Sequence, residues 1–206
     1  MLDSLPAAPA RVLEVGAGGG ELATLLTAAG YEVVAIDPAS TAEHVLPVAL
    51  EELEGPDGSF DAAVAVVSLH HVEPLVGSCR RLAELVRAGG ILVLDEFDVD
   101  FIDERAASWW LDRHGAHARD LQEDRHGPQA HDLQDPQAVI AELRRHCHPL
   151  AHLQQALTES FALQQPTRGP YLYRWDLSPE LRAQEEELIA RGRLPATGAR
   201  MLGVRR

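Results

Sequence analysis

The sequence predicts an α/β fold, a sandwich of seven short strands in a mostly parallel sheet with helices on both faces. Three observations carry it. Short apolar runs alternate with helical periods along the chain. The early runs are continuously apolar, as in strands covered on both sides. Glycine-rich turns or acids stand where those runs end, at Gly16 to Gly20, Asp37 and Asp95.

The first strand spans 11–16 and leads into three glycines at 16, 18 and 20. A helix over 21–29 follows, with Leu22, Leu25, Leu26 and Ala29 on one face and Gly30 to stop it. The β-rich run 31–37 is the second strand, 45–49 the third and 60–67 the fourth. After a helix that ends near Leu85, Gly89 and Gly90 permit a turn into a fifth strand over 91–96. Strands at 170–175 and 199–205 complete the sheet. Between them lies a helix that Ser178 and Pro179 start and Gly192 ends.

Gly16-x-Gly18-x-Gly20 after a strand lets backbone amides approach a ligand closely, because glycine tolerates positive φ and has no side chain to clash. Two nucleoside chemistries use such turns. The dinucleotide frame Gly-x-Gly-x-x-Gly requires glycine at 21 or 23, where Glu21 and Ala23 stand. A carboxylate at the helix N-terminus also opposes a pyrophosphate there. Asp37, at the tip of the second strand, suits the two hydroxyls of a ribose, since an ionised acceptor makes stronger hydrogen bonds than a neutral one. Both chemistries use an acid at that place.

The stretch from Glu14 through Gly16, Ala17, Gly18 and Gly20 resembles the first motif of class I S-adenosylmethionine-dependent methyltransferases. The run from Ser59-Phe60-Asp61 to Ser68-Leu69-His70-His71 is similar to the type 11 group of that family. So is Leu85 to Asp95, with Ala88 where proline is usual. The resemblance implies a Rossmann-like seven-stranded sheet with an antiparallel last strand, and S-adenosylmethionine as cofactor. It implies cofactor contacts at Glu14, Gly16, Ala17, Gly18, Gly20, Asp37, Pro38, Ser68 and Leu69. The family commonly has an acid beside an adenine-lining apolar residue after the third strand. Here Val48-Ala49-Leu50-Glu51 places the acid after Leu50, so adenine contacts are assigned to Ala49, Leu50 and Glu51 together.

The chain of 206 residues, 46% hydrophobic, is expected to form a single domain over 1–206. With no membrane-length apolar run and no leader-like N-terminus, a soluble, cytoplasmic protein with reduced thiols at Cys79 and Cys147 is expected. All 18 basic residues are arginine, and the formal charge of −14 opposes docking on a phosphate backbone. The expected partner is a small-molecule acceptor, not a nucleic acid or a membrane. Oligomeric state has no signature in the sequence.

The segment 97–167 is too long for a connection and is predicted to be a helical lid insertion that binds the acceptor. Helices are expected over 104–114 and 136–147, the second capped by Asp135. From Asp95 to Asp135 there are 12 acids against 4 arginines. They form either a solvated outer surface or an electronegative mouth for a cationic acceptor. Seven of the ten histidines stand at 114, 117, 126, 131, 146, 148 and 152. No complete metal-binding spacing accompanies them, so no metal is expected and packing is the preferred reading.

Methyl transfer from a sulfonium is an in-line displacement that depends chiefly on positioning. A base is needed only for an acceptor that arrives protonated. Candidates are His71 and His70, at the end of the fourth strand, then Glu96 at the tip of the fifth and His131 beside Asp132. The Leu-His-His run equally suits a role in supporting the cofactor loop. The function expected is therefore methyl transfer from S-adenosylmethionine to an O, N or C atom of a small molecule. The alternatives are a methyltransferase-fold protein that binds the cofactor without methyl transfer, and an NAD-dependent oxidoreductase.

Overall fold

The computed structural model describes residues 2–120, 135–175 and 177–206, with no account of the side chains of 2 and 115–120. Its described residues fall into two compact units. The first contains 1–96, 150–167 and 200–206, and the second 97–149 and 168–199.

The elements run β1 (Arg11–Val15), α1 (Glu21–Ala28), β2 (Glu32–Ile36), β3 (Phe60–Val66), α2 (Leu75–Leu85) and β4 (Val86–Phe97). They continue with α3 (Glu104–Asp120), α4 (Pro136–His146), α5 (Leu150–Thr158), β5 (Phe161–Leu163), β6 (Thr167–Gly169), α6 (Arg182–Ala190) and β7 (Gly198–Arg205). The seven-stranded sheet has the order β2-β1-β3-β4-β7-β5, with β6 paired to β7. Pairs β1–β2, β1–β3 and β3–β4 are parallel, whereas β5 and β7 are antiparallel. No helix among the described residues is long and apolar enough to cross a membrane.

Successive residues of a strand face opposite sides, and the core follows that rule. Leu13 and Val15 of β1 join Leu75, Cys79 and Leu82 of α2 and Leu153 and Leu157 of α5. Val12, between them in register, packs with Leu26 of α1, Ala62, Val64 and Val93. The sheet is therefore covered on both faces, as its predominantly apolar strands require.

Two expected strands are not formed. At 45–49 the pairing is a single bridge, Leu46 to Ile36. Leu46 N–H donates to Ala35 at 2.9 Å and its carbonyl accepts from Asp37 N–H at 3.1 Å. Pro47 has no N–H with which to extend the ladder. At 170–175 the chain makes a 3-10 turn over Leu172–Arg174. The N–H groups of Tyr171, Leu172 and Tyr173 all donate to the buried Glu185 carboxylate, at 2.8 to 3.0 Å. Consecutive amides of a strand point to opposite edges and cannot converge on one side chain.

The fifth predicted strand begins earlier than 91. Its register against β3 passes from Phe60↔Val86 to Ala62↔Ile91, so Arg87 to Gly90 form a bulge within β4. Within the expected insertion 97–167, α5 and β5 belong to the first unit. In the second unit α4 carries its predicted cap, Asp135 accepting from Gln137 N–H. His126, His131 and Asp132 lie outside the described residues, as does the side chain of His117.

Candidate functional site

A cavity of about 490 Å³ opens at the C-terminal ends of β1, β2 and β3, a size ordinary for a small-molecule site. Parallel strands all finish at this edge, and the chain must leave each one through a turn. From the predicted set it brings together Gly16, Asp37, Pro38, Ala49, Leu50, Glu51, Ser68 and His71. Val15, Ile36, Ala39, Val48, Val67, Val72 and Glu73 complete the wall and were not singled out from the sequence.

The glycine turn is fixed by backbone and side-chain bonds. Gly16 and Ala17 donate to the carbonyl of Ile36 at 2.8 and 3.0 Å, which joins the turn to the tip of β2. Gly16 has φ +70°, and a Cβ there would overlap Ser68. Its lack of a side chain lets the β3 end approach β1, where Ser68 Oγ donates to Val15 O at 2.7 Å. Gly18, at φ +55°, faces open space. Its N–H donates to Asp37 Oδ2 at 2.9 Å, and its carbonyl accepts from Ser40 Oγ at 2.6 Å. Ala39 N–H donates to the other Asp37 oxygen at 2.9 Å. Ser40, and His44 with Nε2 3.3 Å from Gly20 O, are parts of the turn that sequence reading missed. The run Asp37-Pro38-Ala39-Ser40 is the signal available for the first of them, because Asp and Ser side chains bind local backbone in turns.

The predicted catalytic trio divides. Glu96 is completely buried and its carboxylate accepts three times. Ser68 N–H and Leu69 N–H reach Oε1 at 3.0 and 2.8 Å, and His70 Nδ1 lies 2.7 Å from Oε2. These bonds shape the 3-10 turn Leu69–His71 and leave Glu96 and His70 as supports inside the protein. His71 is exposed and on the cavity wall, its ring centroid 4.1 Å from that of His70. Val67, just before the turn, has φ +53°, a conformation that costs a β-branched residue energy and marks this corner as constrained.

Ala17 and Leu69 are core residues, not part of the cavity wall. Ala17 packs with Ala23, Ala35 and Val45, and Leu69 joins the main core. Glu14 is buried in β1 with one carboxylate oxygen, Oε2, lacking a partner within the protein. Burial pushes its pKa up to about 7, against the pull of the Ala23 backbone N–H and with a smaller push from Glu21. A buried, unsatisfied carboxylate beside a ligand turn fits a cationic ligand group. Asp37 and Glu51 supply acceptors, and Ile36, Val48, Leu50, Val67 and Val72 supply apolar wall for a flat ring.

A family model described as a methyltransferase domain matches residues 2–127. The chain belongs to the methyltransferase domain family. A relative from Mycobacterium tuberculosis, an uncharacterized methyltransferase, is 39% identical over 100 residues, which are 44% of this chain and 41% of that protein. A ubiquinone biosynthesis O-methyltransferase from Rhodopseudomonas palustris is 27% identical over 192 residues, 83% of this chain and 67% of its own. The chain thus spans about two fifths of the mycobacterial relative's length. Among solved structures, an S-adenosylmethionine-dependent methyltransferase from Mesorhizobium loti has a TM-score of 0.58 at 19% identity, covering all of this chain and 95% of that one. A 1,6-didemethyltoxoflavin-N1-methyltransferase from Burkholderia thailandensis, bound to S-adenosylhomocysteine, has a TM-score of 0.54 at 18% identity. It covers 96% of this chain and 71% of its own. In this family the methyl donor is S-adenosylmethionine, and the residues of the methyltransferase-family cavity suit its charged and apolar parts.

Proposed function

We propose that the chain moves a methyl group from S-adenosylmethionine to an oxygen, nitrogen or carbon of a small-molecule acceptor. The observation that carries this is the cavity wall, where Asp37, Glu51 and the glycine turn meet at the end of three parallel strands. When bound, the donor supplies an electrophilic methyl carbon on a sulfonium. Asp37, already held by Gly18 and Ala39, would accept from the ribose hydroxyls. Glu14 offers its unpartnered Oε2 to a cationic group such as the donor's ammonium. His71, exposed at the wall, is the group placed to take a proton from an acceptor.

The acceptor is read as a small molecule because the formal charge of −14 disfavours a phosphate backbone. The relatives named above for O- and N1-methylation support either acceptor atom. Acceptor choice is assigned to the acidic segment after β4, on the strength of its length and composition. Isothermal titration with S-adenosylmethionine and S-adenosylhomocysteine tests the donor half of the proposal. Affinity in the micromolar range is expected, and folded protein that binds neither would refute it. Asp37→Ala and Gly18→Val should each weaken binding by about 100-fold or more, from a lost charged acceptor and from a β-branched side chain at φ +55°. Wild-type affinity in both would place the donor elsewhere.

A further inference from the structure

The donor reading leaves one direction along the sheet open for the acceptor. Asp37, and the wall that follows the bridge from Leu46 to Ile36, lie on the β2 side of the cavity, whereas His71, exposed at the wall, follows β3. Beyond β3 the sheet continues to β4 and then to β7. Val67 N–H donates to the Asp95 carbonyl at 2.9 Å, so the tip of β4 adjoins the cavity wall directly. Asp95 in turn binds β7, where Arg200 Nη2 donates to Asp95 Oδ2 at 2.6 Å. Adjacent strands lie roughly 5 Å apart, which sets the backbone of Arg200 about 10 Å from that of Val67.

The place of Arg200 is unlike that of any other arginine in the first unit. Arg11 begins β1 and Arg87 binds Asp61 near the start of β3, both at the opposite edge of the sheet. Arg205, followed by Arg206, reaches the Ala83 carbonyl ahead of β4 at that same far edge. Arg80 and Arg81 stand on α2, where Arg81 binds the Leu53 and Gly55 carbonyls. Arg200 is thus the one arginine of this unit at the edge where the cavity opens. Its side chain is 49% exposed, against 11% for that of Asp95. A guanidinium has five N–H donors in a planar fork, so the bond to Asp95 orients it and still leaves donors for a ligand.

On a chain of formal charge −14 an anionic acceptor needs a dedicated cation, and an oriented guanidinium matches a carboxylate in both charge and shape. We infer that Arg200, oriented by Asp95, binds a carboxylate of the methyl acceptor, which makes that acceptor a compact organic acid. The inference rests on the reading of this cavity as the donor site.

The test is titration calorimetry on the whole chain saturated with S-adenosylhomocysteine, comparing benzoate, benzamide and benzylamine, three small rings that differ in charge. Benzoate should bind at least about tenfold more tightly than benzamide. Arg200→Gln should reduce that ratio to about twofold or less while S-adenosylhomocysteine binds within about twofold of its original affinity. Arg200→Lys, which keeps the charge and loses the fork, should leave a ratio of about threefold. Three results overturn the inference while the donor site stands: benzoate no tighter than benzamide, benzylamine tighter than benzoate, or a preference that survives in Arg200→Gln. Failure of the unaltered chain to bind S-adenosylhomocysteine overturns the donor reading itself and the inference with it. Should Arg200→Gln not fold, Arg200→Lys decides, and an undiminished ratio there overturns the inference.

Discussion

Glu14 links burial to pH more directly than any other residue of the site. Its carboxyl has an ordinary value of 4.5 and a folded value of about 7, raised chiefly by burial. Below pH 4.5 it is neutral in both states. Between 4.5 and 7 the unfolded chain releases the proton and the native one retains it, so stability conferred by the native state is lost as pH rises through that window. Glu14→Gln should remove this slope, gaining on the order of 3 kcal/mol relative to wild type above pH 7 in urea denaturation without ligand. Parallel stability curves would show that Glu14 ionises as easily folded as unfolded. A cationic ligand group should reverse the preference, so donor affinity is expected to rise with pH over the same range in wild type and to stay flat in the variant. Much of this scale was legible in the sequence, because a glycine turn and an acid at a strand tip are local patterns. Ser78, whose hydroxyl donates to Glu51, and Glu96 were harder to interpret. Their partners lie 27 and 26 to 28 residues away, and only the packed sheet and helices bring them together.

Elements explain the errors of sequence reading as well as its successes. Strands β1 to β3 and the 91–96 part of β4 have apolar side chains on both faces and were visible as largely apolar runs. The 45–49 run had the composition of a strand, but Pro47 limits it to one bridge. The 170–175 run had β-branched or aromatic character only in part, and Glu185 from α6 gathers its amides into a turn. Burial raises the Glu185 carboxyl above its ordinary value, with the three backbone donors acting against it. Glu185→Ala strands three N–H groups, two of them in buried bonds. The loss should exceed about 3 kcal/mol by denaturant titration. A loss under about 1 kcal/mol would mean that water replaces the carboxylate readily. At the junction of β1 and β3, Gly16→Ala should force the Ser68 turn away from Val15. Donor affinity is expected to fall by at least about tenfold, alongside a stability loss of about 2 kcal/mol. Unchanged affinity would show that the two strand ends are free to separate.

At the scale of the whole molecule, charge is the dominant feature. A formal charge of −14 on 206 residues, with every basic residue an arginine, produces self-repulsion that mobile ions screen. Thermal stability should therefore rise as salt increases from about 20 mM to about 200 mM, a range across which the screening length falls to near 7 Å. A melting temperature that falls over this range would mean that favourable ion pairs outweigh the net repulsion. The bond from Gly18 N–H to Asp37 has a consequence for timing. Because Asp37 and Ser40 bond to the turn's own backbone at Gly18, part of its backbone freedom, about 1–2 kcal/mol per residue, is expected to be given up during folding. Ligand entry then resembles insertion into a finished socket. Hydrogen exchange at the Gly18 amide should be slow in the free protein even though the residue is exposed, and donor association should be fast and free of a slow rearrangement phase.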